Sequence, residues 1–520
     1  MVSQESEQAG PNGGRNGRCS TGIAELDDIL DGGFPRGHLF LVEGEPGTGK
    51  TTLGLQFLLA GVAQGEKVMY ITLSESQREL EGVASSHRWA LDDLVLLEYT
   101  AREESLRPED QYSAFHPSEV ELQDTIAKLL SEMDHAKPQR LVLDSLSEIR
   151  LLSRDSLRYR RQILALKHYF SNRDCTVLLL DDRSGKEHTI ELQSLAHGVI
   201  SMERRSREIG GIRRRLEVKK LRGSQFREGF HDYSIQTGGI VVYPRLVAAE
   251  HRAALPVGSI SSGIKELDAL WGGGLRRGSS TLLIGPAGSG KSSVAAAYAV
   301  AVAEAGNCVA IYSFDESVAS VLYRTDTLGF NATKLFQQKK LIVEQIDPAE
   351  QTPGEFIHKI RQRVERDRAE LLVIDSLNGF LNAMPGEVHL SAQMHELLTY
   401  LTQKGVTCIL ILAQAGLMGP SMLSPVDVSY LADNVLLFRY FESFGKVRKA
   451  ISVVKMRGGL HEDYIRELRF AGGRLTVGEP LTEFQGVLTG VPNFIGKQSL
   501  LDPLAPPSAK TPQERTQNED

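Results

Sequence analysis

Cysteine is scarce in this chain, and so are long apolar runs. The 520 residues include four cysteines, Cys19, Cys175, Cys308 and Cys408, in no CxxC or other metal-binding spacing. That excludes a zinc-finger scaffold and a disulfide framework. Cys175 and Cys408 each precede an apolar run that reads as a buried strand, so core thiols in a reducing, cytoplasmic setting are expected. No apolar run reaches the ~18 residues that span a bilayer, and the polar, glycine-rich stretch 1–18 has no apolar core for a secretory signal. Excess positive charge is absent too. Lys and Arg number 59 against 66 Asp and Glu, a net charge of −7, which argues against a protein built to coat nucleic acid. The 41% hydrophobic and 24% charged content is that of a soluble globular chain. At roughly 150 residues per domain the length holds two to four domains.

What the chain does have, twice, is a phosphate-binding loop. Gly44-Glu45-Pro46-Gly47-Thr48-Gly49-Lys50-Thr51 and Gly285-Pro286-Ala287-Gly288-Ser289-Gly290-Lys291-Ser292 both fit G-x-x-x-x-G-K-[ST]. Glycines let the backbone turn tightly so that several N–H groups converge on phosphate oxygens. The lysine reaches the β- and γ-phosphates, and the following hydroxyl ligates Mg2+. A nucleoside triphosphate, ATP in the first instance, is therefore expected at Gly47, Thr48, Gly49, Lys50, Thr51 and Thr52, and again at Gly288, Ser289, Gly290, Lys291, Ser292 and Ser293.

The loops lie inside a longer repeat. Ser20-Thr21-Gly22-Ile23-Ala24-Glu25-Leu26-Asp27 matches Ser261-Ser262-Gly263-Ile264-Lys265-Glu266-Leu267-Asp268, and the order Lys50, Asp144, Lys220 recurs as Lys291, Asp375, Lys455. The predicted organisation is a disordered terminus 1–18, a first domain 19–246, a linker 247–258, a second domain 259–485 and a tail 486–520, largely disordered after 503. In each repeat short β-rich runs, largely apolar (67–73 and 140–143; 309–314, 371–374 and 406–412), alternate with helical stretches. Strands apolar throughout imply a mostly parallel sheet covered by helices on both faces, an α/β fold with ligand at the strands' carboxyl ends.

Three further elements carry chemistry. Asp144 and Asp375 each end an apolar strand at what reads as its exposed end, the Walker B arrangement, and are expected to hold Mg2+ with Thr51 and Ser292. Ser74-Glu75 and Asp315-Glu316 end the strand after the loop helix, where a carboxylate can orient the attacking water; Glu75, Asp315 and Glu316 are the candidate catalytic acids. Lys220 with Arg222, and Lys455 with Arg457, share one strand face. They sit far in sequence from their own loops, so contact in trans with a neighbouring subunit's phosphate is expected. A basic stretch, 203–215, with Gly210-Gly211 as a hairpin turn, is set down as a solvated hairpin because acids are mixed into it.

Taken together, from about Ser20 to Pro492, these motifs resemble the KaiC family, circadian-clock ATPases of the RecA-like P-loop class. The resemblance implies two RecA-like domains in stacked rings, a homo-hexamer with ATP at the subunit interfaces, slow hydrolysis, and Ser/Thr autokinase activity in the second domain. Two departures stand out. The first domain has Ser74-Glu75 where the family carries adjacent acids, so the first repeat is expected to bind ATP and turn over slowly, if at all. Ser429 falls on the first of two neighbouring phosphoacceptors and Tyr430 replaces the second, which leaves single-site phosphorylation open beside a plain capping role. The expected function is a KaiC-like ATP-hydrolysing timing or signalling protein with unknown regulator partners. A DNA-dependent RecA-like recombinase or helicase, and a nucleotide-gated scaffold of negligible turnover, are the alternatives; nucleic-acid and membrane partners are not expected.

Overall fold

The computed structural model describes residues 17–99, 117–153, 156–171, 173–182, 189–206, 210–251, 257–382, 390–414, 430–443, 445–488 and 493–495. The chain forms two compact units, Met1–Val247 with Asp347–Gln362, and Ala248–Ile346 with Arg363–Asp520.

The first unit is built on a nine-stranded sheet. Its strands are β1 (Leu39–Gly44), β2 (Val68–Thr72), β3 (Val95–Glu98), β4 (Arg140–Asp144), β5 (Thr176–Asp182), β6 (Gly198–Arg205), β7 (Arg213–Leu221), β8 (Phe230–Gln236) and β9 (Gly239–Tyr243). They lie in the order β9-β8-β7-β6-β1-β5-β4-β2-β3. From β6 to β3 every pairing is parallel, and β7 to β9 extend the sheet antiparallel. Alternate residues of the central strands face opposite cores, as the period of two requires. Phe40, Val42, Tyr70, Val142 and Leu178 join one cluster, and Leu41, Met69, Ile71, Leu141 and Leu179 join the other. With both faces covered, these strands have no alternation to display, which is why they read as unbroken apolar runs.

The second unit repeats the plan strand for strand. β10 (Ser280–Gly285), β11 (Cys308–Ser313), β12 (Leu341–Gln345), β13 (Ala369–Asp375), β14 (Thr407–Ala413), β15 (Asn434–Ser443), β16 (Lys446–Met456), β17 (Arg466–Ala471) and β18 (Arg474–Pro480) lie in the order β18-β17-β16-β15-β10-β14-β13-β11-β12. The end of the chain adds a small hairpin, in which Phe484–Gln485 pairs with Asn493–Phe494. The Phe484 ring lies 5.5 Å from Phe441 and 5.2 Å from Phe494. Residues at the start of the expected tail therefore pack on the second unit. Cys19, Cys175 and Cys408 are buried free thiols. Among the described residues no helix is long and apolar enough to cross a membrane.

Two candidate nucleotide sites

Each phosphate loop leaves the carboxyl end of the strand at the middle of its sheet and runs straight into a helix, α1 (Lys50–Val62) and the later helix Lys291–Glu304. Gly49 and Gly290 have φ of 94° and 107°. A Cβ on Gly49 would lie 2.7 Å from Ile235 Cδ1, and one on Gly290 2.8 Å from Leu468 Cδ2, so conformation and space both demand glycine. Lys50 Nζ donates to Gly44 O at 2.9 Å and Glu45 O at 3.1 Å. Lys291 Nζ does the same to Gly285 O at 2.9 Å and Pro286 O at 2.7 Å. Burial depresses the Lys291 ammonium to about 8.

Thr51 Oγ1 donates to Asp144 Oδ2 at 3.0 Å, and the Tyr70 hydroxyl donates to the same oxygen at 2.5 Å. Asp144 thus ends its strand, but inside the protein rather than at an exposed edge: it is 5% exposed, and burial raises its pKa. The enclosing Tyr70 is what the sequence pattern did not show. Asp375 is raised by burial in the same way, opposed by a hydrogen bond from Ser292. A hydroxyl and a carboxylate held side by side at the mouth of a phosphate loop fit a hard, oxygen-seeking cation such as Mg2+. Among the described residues no three His, Cys, Asp or Glu side chains form a metal cage.

The acids after the loop helix are placed alike by a hydroxyl at the strand end. Thr72 Oγ1 accepts from Glu75 N at 2.9 Å, and Ser313 Oγ accepts from Glu316 N at 3.0 Å. Their surroundings differ. Glu75 Oε2 is buried without a hydrogen-bond partner, and burial, with the charges of Asp144, Glu79 and Asp182, lifts Glu75 to about 7. Glu316 is instead paired with Arg324, Oε2 to Nη2 at 3.1 Å, and the same guanidinium stands 3.9 Å from Asp375. Asp315 accepts a 2.7 Å hydrogen bond from Ser376 Oγ. The acid doublet that looked better equipped is the one already engaged by neighbours.

The paired cations lie at the other end of each sheet. Lys220 pairs with Val199 at the start of β6, and Lys455 with Val435 at the start of β15. In each case the register slips by one residue beside the lysine, a shared bulge at Lys219 and at Val454. The bulge turns Lys219 onto the buried Glu43, 2.9 Å away. Lys220 and Arg222 both reach carbonyls that end the helix α2 (Thr189–Leu195): Lys220 bonds Gln193 O, and Arg222 Nη2 donates to Ser194 O at 2.7 Å. Lys455 donates to Ala432 O at 2.7 Å, and Arg457 stands 3.7 Å from Asp433. Arg222 and Arg457 sit just beyond their strands, which end at Leu221 and Met456. Ser429 lies outside the described residues.

Three features were missed from sequence. Arg204 and Arg214, cross-strand partners on β6 and β7, lie against the first phosphate loop. A Cβ on Gly47 would be 2.9 Å from Arg204 Nη1, and Arg214 Nε donates to Gly47 O at 3.5 Å. Arg213 is buried in a 3.1 Å ion pair with Asp232. Arg204 and Arg205 are exposed, as expected of a solvated hairpin, but Arg213 is buried and Arg204 and Arg214 reach back to the loop. In the second unit Tyr440 takes the place of Arg204 and donates to Ala287 O at 3.0 Å. The third feature is Asp182, whose carboxylate is 2.7 Å from Lys50 Nζ. Two acids closing an otherwise apolar strand, Asp181-Asp182, were the available signal.

Comparison with known proteins agrees with this architecture. Residues 19–247 and 260–479 each match the ATPase family described as KaiC. Among curated proteins, the circadian clock protein KaiC3 of Synechocystis sp. is 24% identical over 93% of this chain and 96% of its own. The circadian clock oscillator protein KaiC of Acaryochloris marina is 25% identical over 91% of both chains. That of Prochlorococcus marinus subsp. pastoris is 26% identical over 93% of this chain and 95% of its own. With both halves matched and the same sheet built twice around a phosphate loop, the chain belongs to the KaiC family of ATPases.

Proposed function

We propose that both sites hydrolyse Mg2+-bound ATP, and that the protein works as a ring-forming timing or signalling ATPase in the cytoplasm. The observation that carries the reading is Glu75, a buried carboxylate without a hydrogen-bond partner on Oε2, beside the Thr51–Asp144 pair. Mg2+, held by Thr51 and Asp144 in the first site and by Ser292 and Asp375 in the second, would neutralise charge developing on the phosphate. The loop amides and Lys50 hold the phosphates. Glu75 orients a water in line with the γ-phosphorus and takes its proton as the new P–O bond forms and the bond to ADP breaks. Glu316 does the same in the second site. In this reading the unequal surroundings of the two acids favour hydrolysis in the first repeat, where the sequence pointed to the second.

In this reading Lys220, Arg222, Lys455 and Arg457 reach the phosphates of a neighbouring copy in a homo-hexamer. A timing role follows the relatives, which are clock proteins by name. Autokinase activity on Ser429 rests on the resemblance, and mass spectrometry after incubation with Mg-ATP decides it; a chain that stays unphosphorylated removes the kinase and leaves the ATPase.

Phosphate release from Glu75→Gln, Glu316→Gln and the double variant tests the proposal. Each single change is expected to remove its site's share by about 10²-fold or more, and the double change to leave almost nothing. Wild-type rates in the double variant would dismiss both acids. Several-fold stimulation of the wild type by single-stranded DNA would favour a DNA-dependent motor instead.

A further inference from the structure

The two phosphate-loop lysines have the same backbone partners but different charge partners. An ammonium has three donors. Lys291 spends two on Gly285 O and Pro286 O. Lys50 spends two on Gly44 O and Glu45 O and meets Asp182 Oδ1 at 2.7 Å. The Lys50 side chain is only 8% exposed and that of Asp182 38%, so the ion pair is screened from the carboxylate side alone, and as the one contact between charges it is the strongest of the three.

Register puts the acid there. β5 lies between the loop strand β1 and the Walker B strand β4, and Asp182 is the direct partner of Gly44. The matching partner of Gly285 is Ala413, so the second unit has no carboxylate at this point. The strand end that carries Asp182 is held by Ser147: Asp182 N donates to Ser147 Oγ at 3.2 Å, and Ser147 Oγ reaches Asp181 Oδ1 at 3.3 Å. Arg150 stands 3.7 Å from Asp181. Asp182 is thus a positioned group rather than a passing side chain.

We propose that Asp182 sets the nucleotide affinity of the first site by holding Lys50 until a triphosphate displaces it. The proposal rests on the reading that the first loop binds ATP. The Lys50 contact that a β- or γ-phosphate needs is the one the carboxylate holds. Once phosphates arrive, Asp182 faces them as a like charge across the same ammonium. The first site therefore binds Mg-nucleotide more weakly than its loop alone would allow, and the second site, with Ala413, does not carry this handicap.

The test uses the full chain carrying Lys291→Ala, which silences the second loop, titrated calorimetrically with Mg-ATPγS. Adding Asp182→Asn, which keeps the shape and removes the charge, is expected to tighten binding about tenfold, whereas Asp182→Glu keeps the original affinity. The reciprocal change, Ala413→Asp in a chain silenced by Lys50→Ala, is expected to weaken the second site by a similar factor. Binding that Asp182→Asn leaves unchanged or weakens overturns the inference and makes Asp182 a group that aims Lys50 at the phosphates. No binding to the Lys291→Ala chain, with or without Asp182→Asn, overturns the first-site reading and the inference with it.

Discussion

Glu75 is held where its charge is costly. Burial and the neighbouring carboxylates raise it to about 7, so near neutral pH it is a mixture of acid and base. A general base works only when deprotonated. Turnover at the first site, isolated by Lys291→Ala, is therefore expected to climb with pH through a midpoint near 7 and to level off above it. The Glu75→Gln chain should lose that limb along with most of its rate; a profile flat from pH 6 to pH 8 in the parent would show that Glu75 is not the titrating base. At this scale the sequence was readable where chemistry lies in consecutive residues. Lys50, Thr51 and the strand-ending Asp144 follow from local pattern. Asp182, Arg204 and Tyr70 are brought in by strand register, over a hundred residues of chain in two cases, and no window contains them beside the loop. The doublet Asp315-Glu316 was legible, but its partners Arg324 and Ser376 were not, since they come from other elements.

Among the strands, β4 shows how the two repeats diverge while keeping one plan. It opens with Arg140, which is completely buried. Its guanidinium bonds Glu66, Ser20 O at 2.7 Å, Phe57 O at 2.8 Å and Gln64 Oε1 at 3.2 Å. Arg140 pairs with Val68 on β2, and the corresponding partner of Val309 on β11 is Leu371. The first unit thus buries a charged hub where the second buries a hydrocarbon. Arg140→Ala would strand Glu66 with Arg36 as its remaining cation and free two backbone carbonyls. A loss of about 3–5 kcal/mol is expected, read as an earlier first transition in chemical denaturation of the full chain, with the second transition unmoved. An unmoved first transition would show that Arg36 alone satisfies Glu66. Parallel strands were legible as apolar runs because both faces are covered. The antiparallel extension β7 to β9 was harder to see, because it mixes buried and exposed positions and its borders follow from pairing rather than composition.

For the whole molecule, the central feature is the placement of loops and cations at opposite ends of the same sheets. About 10 Å of strand, at ~3.3 Å per residue, separates Gly44 from the level of Lys220, which through Val199 lies beside Leu41, and the Lys220 ammonium turns to the helix-ending Gln193 O, so within a unit the cations are aimed away from that unit's own phosphates. If they act on a neighbour, mixing Arg457→Ala chains with wild type should depress activity more steeply than the mutant fraction; a strictly proportional fall would show that each chain works alone. Sheet ends that differ chemically have a further consequence. Contact between a loop end and a cation end is directional, head to tail, and unlike a two-fold contact it is never saturated by pairing. Only closure into a ring limits such growth. A copy with its cation end blocked can still be joined at its loop end, and it then stops addition on one side as a chain terminator. In an assembly built this way, a small proportion of capped copies would therefore set the length distribution, and each would leave one facing nucleotide site without its cations from the neighbour.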